Sequence, residues 1–476
     1  KKTFKMLADG NTEGVFQLGG SEGMTKYLKE LKPTSVDDLN AMVALYRPGP
    51  INNINEYIAR KHGKSPIKYF HPKAEKFLAK SYGVLVYQDD LIMTALELAG
   101  YNWESVDKFR KAVGKKIPAE MAKQHEIFVK GCQTNSDMTQ EQTEAIWNLF
   151  EPFQGYGFNK AHAACYGRVA YQTAYMKANF PTEYMCAILT AESGDIERVA
   201  EIIMECQRMN ISVMPPDINE SFSSFAVVAE DSKPAIRFGL LSIKNVGENI
   251  VKAVIEEREK SGKFVSLEDF IGRVQHKDLN KKSLESLIKC GALDSLGERN
   301  TFLYNLEDLL LYAREIQKHK SFGQVSLFGQ TEVSLPPLRL REAPALSKWE
   351  KVNWEKELLG LFVSEHPMKD YQEKLRLDYK VSNIQEAIKK VGQSVKIGGL
   401  ITNIKKILTR NNQPMIFSQL EDTNSKVELI VFNDLIQKNP ALWQENSIVI
   451  VKGRVNEKDG VPKIICQEVT PVATLS

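Results

Sequence analysis

Paired cysteines, long apolar runs and a strong charge of either sign are all missing from this chain. Its six cysteines (Cys132, Cys165, Cys186, Cys206, Cys290 and Cys466) are scattered, with no Cys-x-x-Cys pair. That argues against a zinc site and against a disulfide framework, and it fits a reducing cytoplasm, which is the expected location. No apolar run reaches the ~20 residues needed to span a bilayer, so no membrane association is expected. The formal net charge is only +3, from 63 basic and 60 acidic residues. Any nucleic-acid surface must therefore come from local patches. No cluster of His and Asp converges in sequence, which speaks against a metal-dependent nuclease. The chain opens on Lys1-Lys2 without an initiator Met, and no signal peptide is visible. The expectation is a piece of a longer protein.

What is present points to several domains. A chain of 476 residues is too long for one compact core. Residues 1–225 read as mostly helical. Ser35-Val36-Asp37-Asp38 has the form of an N-terminal cap before the apolar run LNAMVALY, and Pro48-Gly49-Pro50 stops that helix. Arg47 stands just before the break, where it either caps the helix dipole or points into a cleft. Tyr82 to Gly100, YGVLVYQDDLIMTALELAG, is apolar at first and helical in period afterwards. Asp89 and Asp90 are adjacent, so on a helix they point about 100° apart and do not converge on one ion. A capping or solvated role is expected for them.

Lys108-Phe109-Arg110-Lys111, followed by Lys115-Lys116 after Gly114, is the densest short basic cluster. Such a cluster suits a triphosphate, with Arg able to give bidentate contacts, although a charge run is also the ordinary solvated face of a helix. Phe109 and Val113 argue that this helix is docked. Phe153 to Tyr166, FQGYGFNKAHAACY, combines glycines that let backbone pass close to a ligand with flat rings at Tyr156 and Phe158, a charge at Lys160 and a donor at His162. That mixture suits an aromatic base carrying phosphates.

Further on, FGLLSIKNVGENIVKAVIEER (Phe238 to Arg258) has a helix-hairpin-helix pattern with Val246-Gly247 in the hairpin. Hairpin amides and the following helix N-terminus can hold a backbone phosphate without reading sequence, with Lys244 and Asn245 flanking Gly247. LNKKSLESLIKCGALDSLG (Leu279 to Gly297) is a candidate second half. A hairpin that only packs, without DNA, is the alternative. Gln324-Val325-Ser326-Leu327-Phe328 lies between a helix (302 to 318) and a Pro-rich stretch, and shows Leu and Phe in a linker where burial would be normal. Docking of Leu327 and Phe328 into a partner's apolar pocket, with Gln324 at the rim, accounts for them. Residues 391–476 hold five β-rich segments with a helix (434 to 443) after the third, the pattern of an OB-fold barrel. Arg410, Phe417, Phe432 and Lys452 are the candidates there for holding a single strand, with core packing the plain alternative for the two rings.

Six motifs together carry a resemblance. TEGVFQL (Thr12 to Leu18), ALYRPGP (Ala44 to Pro50), YGVLVYQDDL, FRKAVGKK, GYGFNKAHAACY and MPPDIN (Met214 to Asn219) stand in the order and near the spacing seen in the alpha subunit of bacterial DNA polymerase III, a C-family replicative polymerase. The resemblance covers nearly the whole chain, and EHPMKDY (Glu365 to Tyr371) agrees with it. It implies a part of a DNA-directed DNA polymerase that adds deoxynucleoside triphosphates to a primer 3′ end. It implies that Arg47, Arg110, Lys111, Tyr156, Lys160 and His162 handle the incoming nucleotide. The usual pair at 110 and 111 is two arginines; Lys111 departs from that, which weakens a bidentate contact there. It further implies that the pentapeptide binds the sliding clamp and that other replicase holoenzyme subunits are partners. Magnesium is implied as cofactor, bound by palm aspartates lying upstream of residue 1 and not by this chain, which holds no Asp-x-Asp pair. No catalytic residue and no metal ligand is therefore assigned here, and the isolated chain is expected to be inactive. A non-catalytic DNA- and clamp-binding adaptor is the rival reading; it has no need of residues 1–225.

The expected fold is multidomain α+β. It comprises a largely helical fingers region (1–225), a helix-hairpin-helix DNA-binding region (226–312), a clamp-binding motif and connector (313–390), and a C-terminal OB-fold β-barrel (391–476).

Overall fold

The computed structural model describes residues 1–115, 118–150, 153, 157–322, 338–344, 346–360, 362–363, 367–409, 411–423, 425–458 and 461–472. The chain divides into two compact units, Lys1–Pro181 and Thr182–Ser476.

The described residues of the first unit are helical. Its centre is the Val36–Leu45 helix, in which every residue from Asp38 to Leu45 is buried. A helix buried on all sides is stable only inside other elements. It begins as the sequence indicates, with Ser35 and Asp38 forming a reciprocal capping box. It ends before Gly49, whose φ of 94° turns the chain into the Pro50–Asn53 turn. Asp38 is buried but not isolated. It accepts the Lys61 ammonium at 2.7 Å and the Thr34 amide at 2.8 Å. Burial alone would raise its pKa; Lys61 and the amides outweigh burial and hold it below the usual carboxylate range.

The Lys160–Asn179 helix lies along that central helix. It presents a stripe of small buried residues, Ala163, Gly167, Ala170 and Ala174, at helical spacing. Small side chains let two backbones approach. A Cβ on Gly167 would fall 2.0 Å from Asn40 Oδ1. A second core in the same unit is aromatic. Phe109 is fully buried and stacks near Phe128, Phe150, Trp147 and Tyr101. The Trp103–Lys115 helix is thus docked through Phe109 and Val113, as expected from its apolar pattern.

The second unit starts earlier than the expected boundary at 225. The Ile196–Arg208 helix buries Val199, Ile202, Ile203 and Cys206 in the same core as Phe238, Ile250 and Leu284 of the hairpin region. Its strongly one-sided apolar face needs a partner, and the hairpin core supplies it. A small sheet of order β1-β3-β2 (Val213–Met214, Lys233–Arg237, Ala226–Glu230) adjoins it. The MPPDIN segment is a strap across this region. The Ile218 amide donates to Ala292 O at 2.7 Å, and the Asn219 side chain exchanges two hydrogen bonds with the Phe264 backbone at 2.8 and 2.9 Å.

The Lys348–Leu359 helix joins the hairpin core to the barrel. Leu358 and Leu359 lie in the hairpin core, while Val352 packs with Phe362, Leu400 and Ile450 against the barrel. It is pinned by a buried ion pair, Arg299 to Glu355 at 2.9 Å. The helix expected over 302–318 is broken at buried Asn305, between Arg299–Tyr304 and Leu306–Phe322. The Asn305 amide turns to Thr301 O and Arg341 O instead.

Five strands close into a barrel of order β4-β5-β6-β8-β7: Ser394–Leu408, Pro414–Glu421, Lys426–Val431, Val461–Pro471 and Ile448–Lys458. All five segments recognised in the sequence become strands, because their alternation places Ile416, Leu420, Val427, Leu429 and Ile464 inward. The helix after the third strand is shorter than expected. It runs only from Asn433 to Lys438, and Pro440 diverts the chain into a 3-10 turn. No helix among the described residues is long and apolar enough to cross a membrane.

Candidate nucleotide and nucleic-acid site

The site in the first unit is built where two helices begin. The Gln88–Ala99 helix starts after Tyr87, and its first turn is organised by Asp90. One oxygen of that carboxylate accepts the amides of Val86 and Tyr87, both at 2.9 Å. Asp90 is buried, and burial outweighs the two amides, so its pKa is pushed up to about 6. Asp89 points the other way and accepts the amide of Lys160 at 2.8 Å. Asn159 caps the same helix by accepting the His162 amide at 2.9 Å. Both aspartates therefore serve helix starts. Among the described residues no group of three or more His, Cys, Asp or Glu is placed to hold a metal ion.

Gln88 ties the parts together. Its amide donates to Phe158 O at 2.9 Å. A Cβ on Gly157 would lie 2.8 Å from Gln88 Cβ, so only glycine fits that approach without adjustment. The same Gln88 lines a cleft with Arg110, Val113, Gly114 and Gly157. The sequence-predicted Arg110 thus shares a cleft with Gly157.

Arg47 is half-buried. Its Nε donates to Ala44 O at 2.8 Å, and its guanidinium carbon lies 5.1 Å from the centre of the Phe158 ring. It therefore closes the end of its own helix, the first of the two roles open to it, and lays its guanidinium against the Phe158 ring. Lys160 Nζ lies 5.4 Å from the Tyr87 ring centre. His162 is exposed, with its ring between Phe158 (5.3 Å) and Tyr166 (4.3 Å). Tyr156 lies outside the described residues.

Arg110 and Lys111 both turn to Asp107. Arg110 Nη2 and Lys111 Nζ each stand 2.7 Å from that carboxylate, which the Lys111 and Arg110 contacts hold below the usual range. The i, i+3 and i, i+4 spacing made this triad legible, and the sequence reading passed over it. It also missed Phe16, whose ring packs 5.3 Å from Tyr166. Nothing local in the sequence marks that contact, because the two residues stand 150 positions apart.

In the second unit the Glu248–Ser261 helix starts at Gly247, with no side chain capping it and open space beside Gly247. Lys244 is exposed at the hairpin turn, and its own amide donates to Leu358 O at 3.1 Å. Asn245 takes φ 69°, the left-handed turn conformation, and its side-chain amide donates to Ser286 Oγ at 3.1 Å. That side chain braces the two halves of the hairpin region.

On the barrel, Phe417 sits on β5 between Lys405 of β4 and Ile430 of β6, with Lys463 Nζ 5.9 Å from its ring centre. Lys452 is on β7, beside Lys396 and hydrogen-bonded to Glu468 at 3.2 Å. Phe432 is exposed at the start of the Asn433–Lys438 helix. The barrel does not gather these three. Phe417 instead meets Lys405 and Lys463, which the sequence reading did not single out. Arg410 lies outside the described residues, as do Gln324, Leu327 and Phe328.

The arrangement defines a class: a chain assembled from separate nucleic-acid-handling folds. Residues 1–136 match the bacterial DNA polymerase III alpha subunit finger domain. Residues 210–302 match a helix-hairpin-helix motif, and residues 395–472 an OB-fold nucleic acid binding domain. The chain belongs to the bacterial DNA polymerase III alpha subunit family. It is 39% identical to the DNA polymerase III subunit alpha of Thermus aquaticus, over 98% of this chain and 38% of that protein. It is 39% identical to that of Borreliella burgdorferi, over 100% of this chain and 41% of the relative. Against Deinococcus radiodurans the identity is 38%, over 100% of this chain and 36% of the relative. The chain thus spans about two fifths of the length of the curated relatives it matches.

Proposed function

We propose that this chain is the nucleotide- and DNA-handling part of a DNA-directed DNA polymerase, one that extends a primer with deoxynucleoside triphosphates. The observation that carries the reading is the Phe158 ring meeting Arg47 and His162, next in sequence to Gly157 of the Gln88–Arg110 cleft, with Lys160 at the Tyr87 ring. A nucleotide has two demands, an apolar face for its base and cations for its phosphates, and both are met within one cluster. Arg110 and Lys111 would take the phosphates in exchange for Asp107, with Lys160 at its helix start as a further cation and Tyr156 assigned to the nucleotide by its sequence motif alone. His162 acts as a ring and a donor, not as a catalytic base.

In the same reading the open helix start at Gly247, with Lys244, holds a backbone phosphate of the duplex. The Phe417–Lys463 face of the barrel holds single-stranded template. Gln324, Leu327 and Phe328 tether the protein to the sliding clamp, on the strength of the pentapeptide sequence. Phosphoryl transfer of this kind uses two divalent ions held by carboxylates. We assign those magnesium ligands to the part of such a subunit that this chain does not span. A DNA- and clamp-binding adaptor would leave the finger domain without a task.

The test is binding of a primer-template to the purified chain across a salt series, together with primer extension in magnesium. Tight binding that weakens steeply with salt, a further loss of triphosphate binding in Arg110→Ala, and no extension are expected. Binding that ignores salt, or an Arg110→Ala chain that binds triphosphate normally, would refute the reading.

A further inference from the structure

Four rings form a continuous ladder on the first unit. Phe158, His162 and Tyr166 follow each other at intervals of four residues along the start of the Lys160–Asn179 helix, with centroid separations of 5.3 and 4.3 Å. Phe16 extends the series from a distant turn, 5.3 Å from Tyr166. Arg47 covers the inner end at Phe158. The outer end is open: Phe16 is a large apolar side chain left 39% exposed. The turn that presents it is fixed. Its amide donates to Thr173 Oγ1 at 3.1 Å, and the Gly19 amide closes back on Val15 O at 2.9 Å.

We propose that Phe16 and Tyr166, with His162 behind them, form a stacking platform for an unpaired nucleobase. This rests on the nucleotide- and DNA-handling reading above and adds residues to it. Three arguments favour a base over an apolar side chain of a partner protein. The ladder is made of flat rings, which stack on a base face regardless of its sequence. The Lys160–Asn179 helix shows Lys160 and Arg168 to solvent and carries no Asp or Glu, so no carboxylate on it repels a phosphate chain; its third cation, Lys177, is buried and holds Asn11 O and Glu13 O. Arg47 at the inner end adds a further cation next to the rings. A base stacked on Phe16 would cover the exposed ring and leave its own phosphates toward these cations.

The base could come from a strand or from a free triphosphate; the recognition chemistry is shared, and the experiment separates the two. The whole chain is titrated with a single-stranded oligonucleotide bearing 2-aminopurine at one position, with the same oligonucleotide abasic at that position, and with a deoxynucleoside triphosphate. Phe16→Ala should weaken base-bearing ligand by roughly 5- to 150-fold, the range for loss of one stacked base. Phe16→Trp should restore binding and quench the 2-aminopurine emission. The abasic strand should bind Phe16→Ala and the parent alike. A strand source predicts loss with the oligonucleotide only, a nucleotide source loss with the triphosphate only. Equal losses for base-bearing and abasic strands would make Phe16 merely structural and overturn the platform. So would an unchanged affinity in Phe16→Ala while Arg110→Ala still weakens triphosphate binding, which would leave the broader reading standing. If the parent binds none of the three ligands, both fall.

Discussion

The backbone amide of Lys160 donates to the side chain of Asp89 at 2.8 Å, across 71 residues of chain. This bond fastens the glycine loop and its helix to the acidic helix start. The Asp89 carboxylate sits where a helix N-terminus most favours negative charge. Asp89→Ala should therefore lower stability by about 0.5–2 kcal/mol, the range for a lost cap. Urea unfolding reads that loss, and amide exchange at Lys160 should quicken in step. Asp89→Asn should retain most of the effect; an unchanged Lys160 amide in Asp89→Ala would rule the cap out.

Asp90 gives a pH signature of opposite sign to most carboxylates. Its folded pKa is pushed up to about 6 by burial, whereas an unfolded Asp titrates near about 3.9. The folded state thus holds the proton more tightly, and the stability this group contributes is full below about 4 and lost as pH rises through 6. Asp90→Asn keeps an oxygen for the Val86 and Tyr87 amides and does not titrate. Stability of the variant relative to the parent should rise by up to about 1.4 kcal/mol per pH unit between pH 4 and 6. A pH-independent difference would contradict the assignment.

Arg299 and Glu355 form a buried pair, 7% and 1% exposed in their side chains, that fixes the Lys348–Leu359 helix to the hairpin core. Asp294 completes the guanidinium's contacts at 2.8 Å. Removing Arg299 takes away the guanidinium that faces buried Glu355. Arg299→Met should cost about 3–5 kcal/mol, with the double variant Arg299→Met/Glu355→Leu recovering part of it. Denaturant unfolding of the three proteins checks both statements.

Gly167 is a point of close approach between the Lys160–Asn179 and Val36–Leu45 helices. Its missing Cβ is replaced by Asn40 Oδ1, which would stand 2.0 Å away. Gly167→Ala should destabilise by about 1–3 kcal/mol despite the better helix propensity of alanine. Gly114→Ala, with nothing within 4 Å of the added methyl, is the control and should be neutral or stabilising. The thermal midpoint should fall in Gly167→Ala and hold or rise in Gly114→Ala.

The two ends of the chain differ in how far the site could be foreseen. Arg47 and His162 both meet the Phe158 ring while Lys160 turns to Tyr87, and each stands within a few residues of a helix end. Asn245 and Lys452 have the right residue type, yet one braces Ser286 and the other pairs with Glu468. A side chain's partner depends on what folds against it, and that is set at long range.

Local chemistry was enough for the sequence to determine the helix start at Ser35, the break at Pro48-Gly49-Pro50, the hairpin at Gly247 and all five barrel strands. Caps, proline and period-2 alternation act over a few residues and are written in order along the chain. Only the tertiary structure decided that Phe16 lands on Tyr166, that Asp89 reaches Lys160, and that residues 182–225 join the hairpin core. Each of those contacts is chosen by the burial of whole apolar faces, such as Val199, Ile202, Ile203 and Cys206 on Phe238 and Ile250. A face shows that it needs a partner, but not which distant one will close over it.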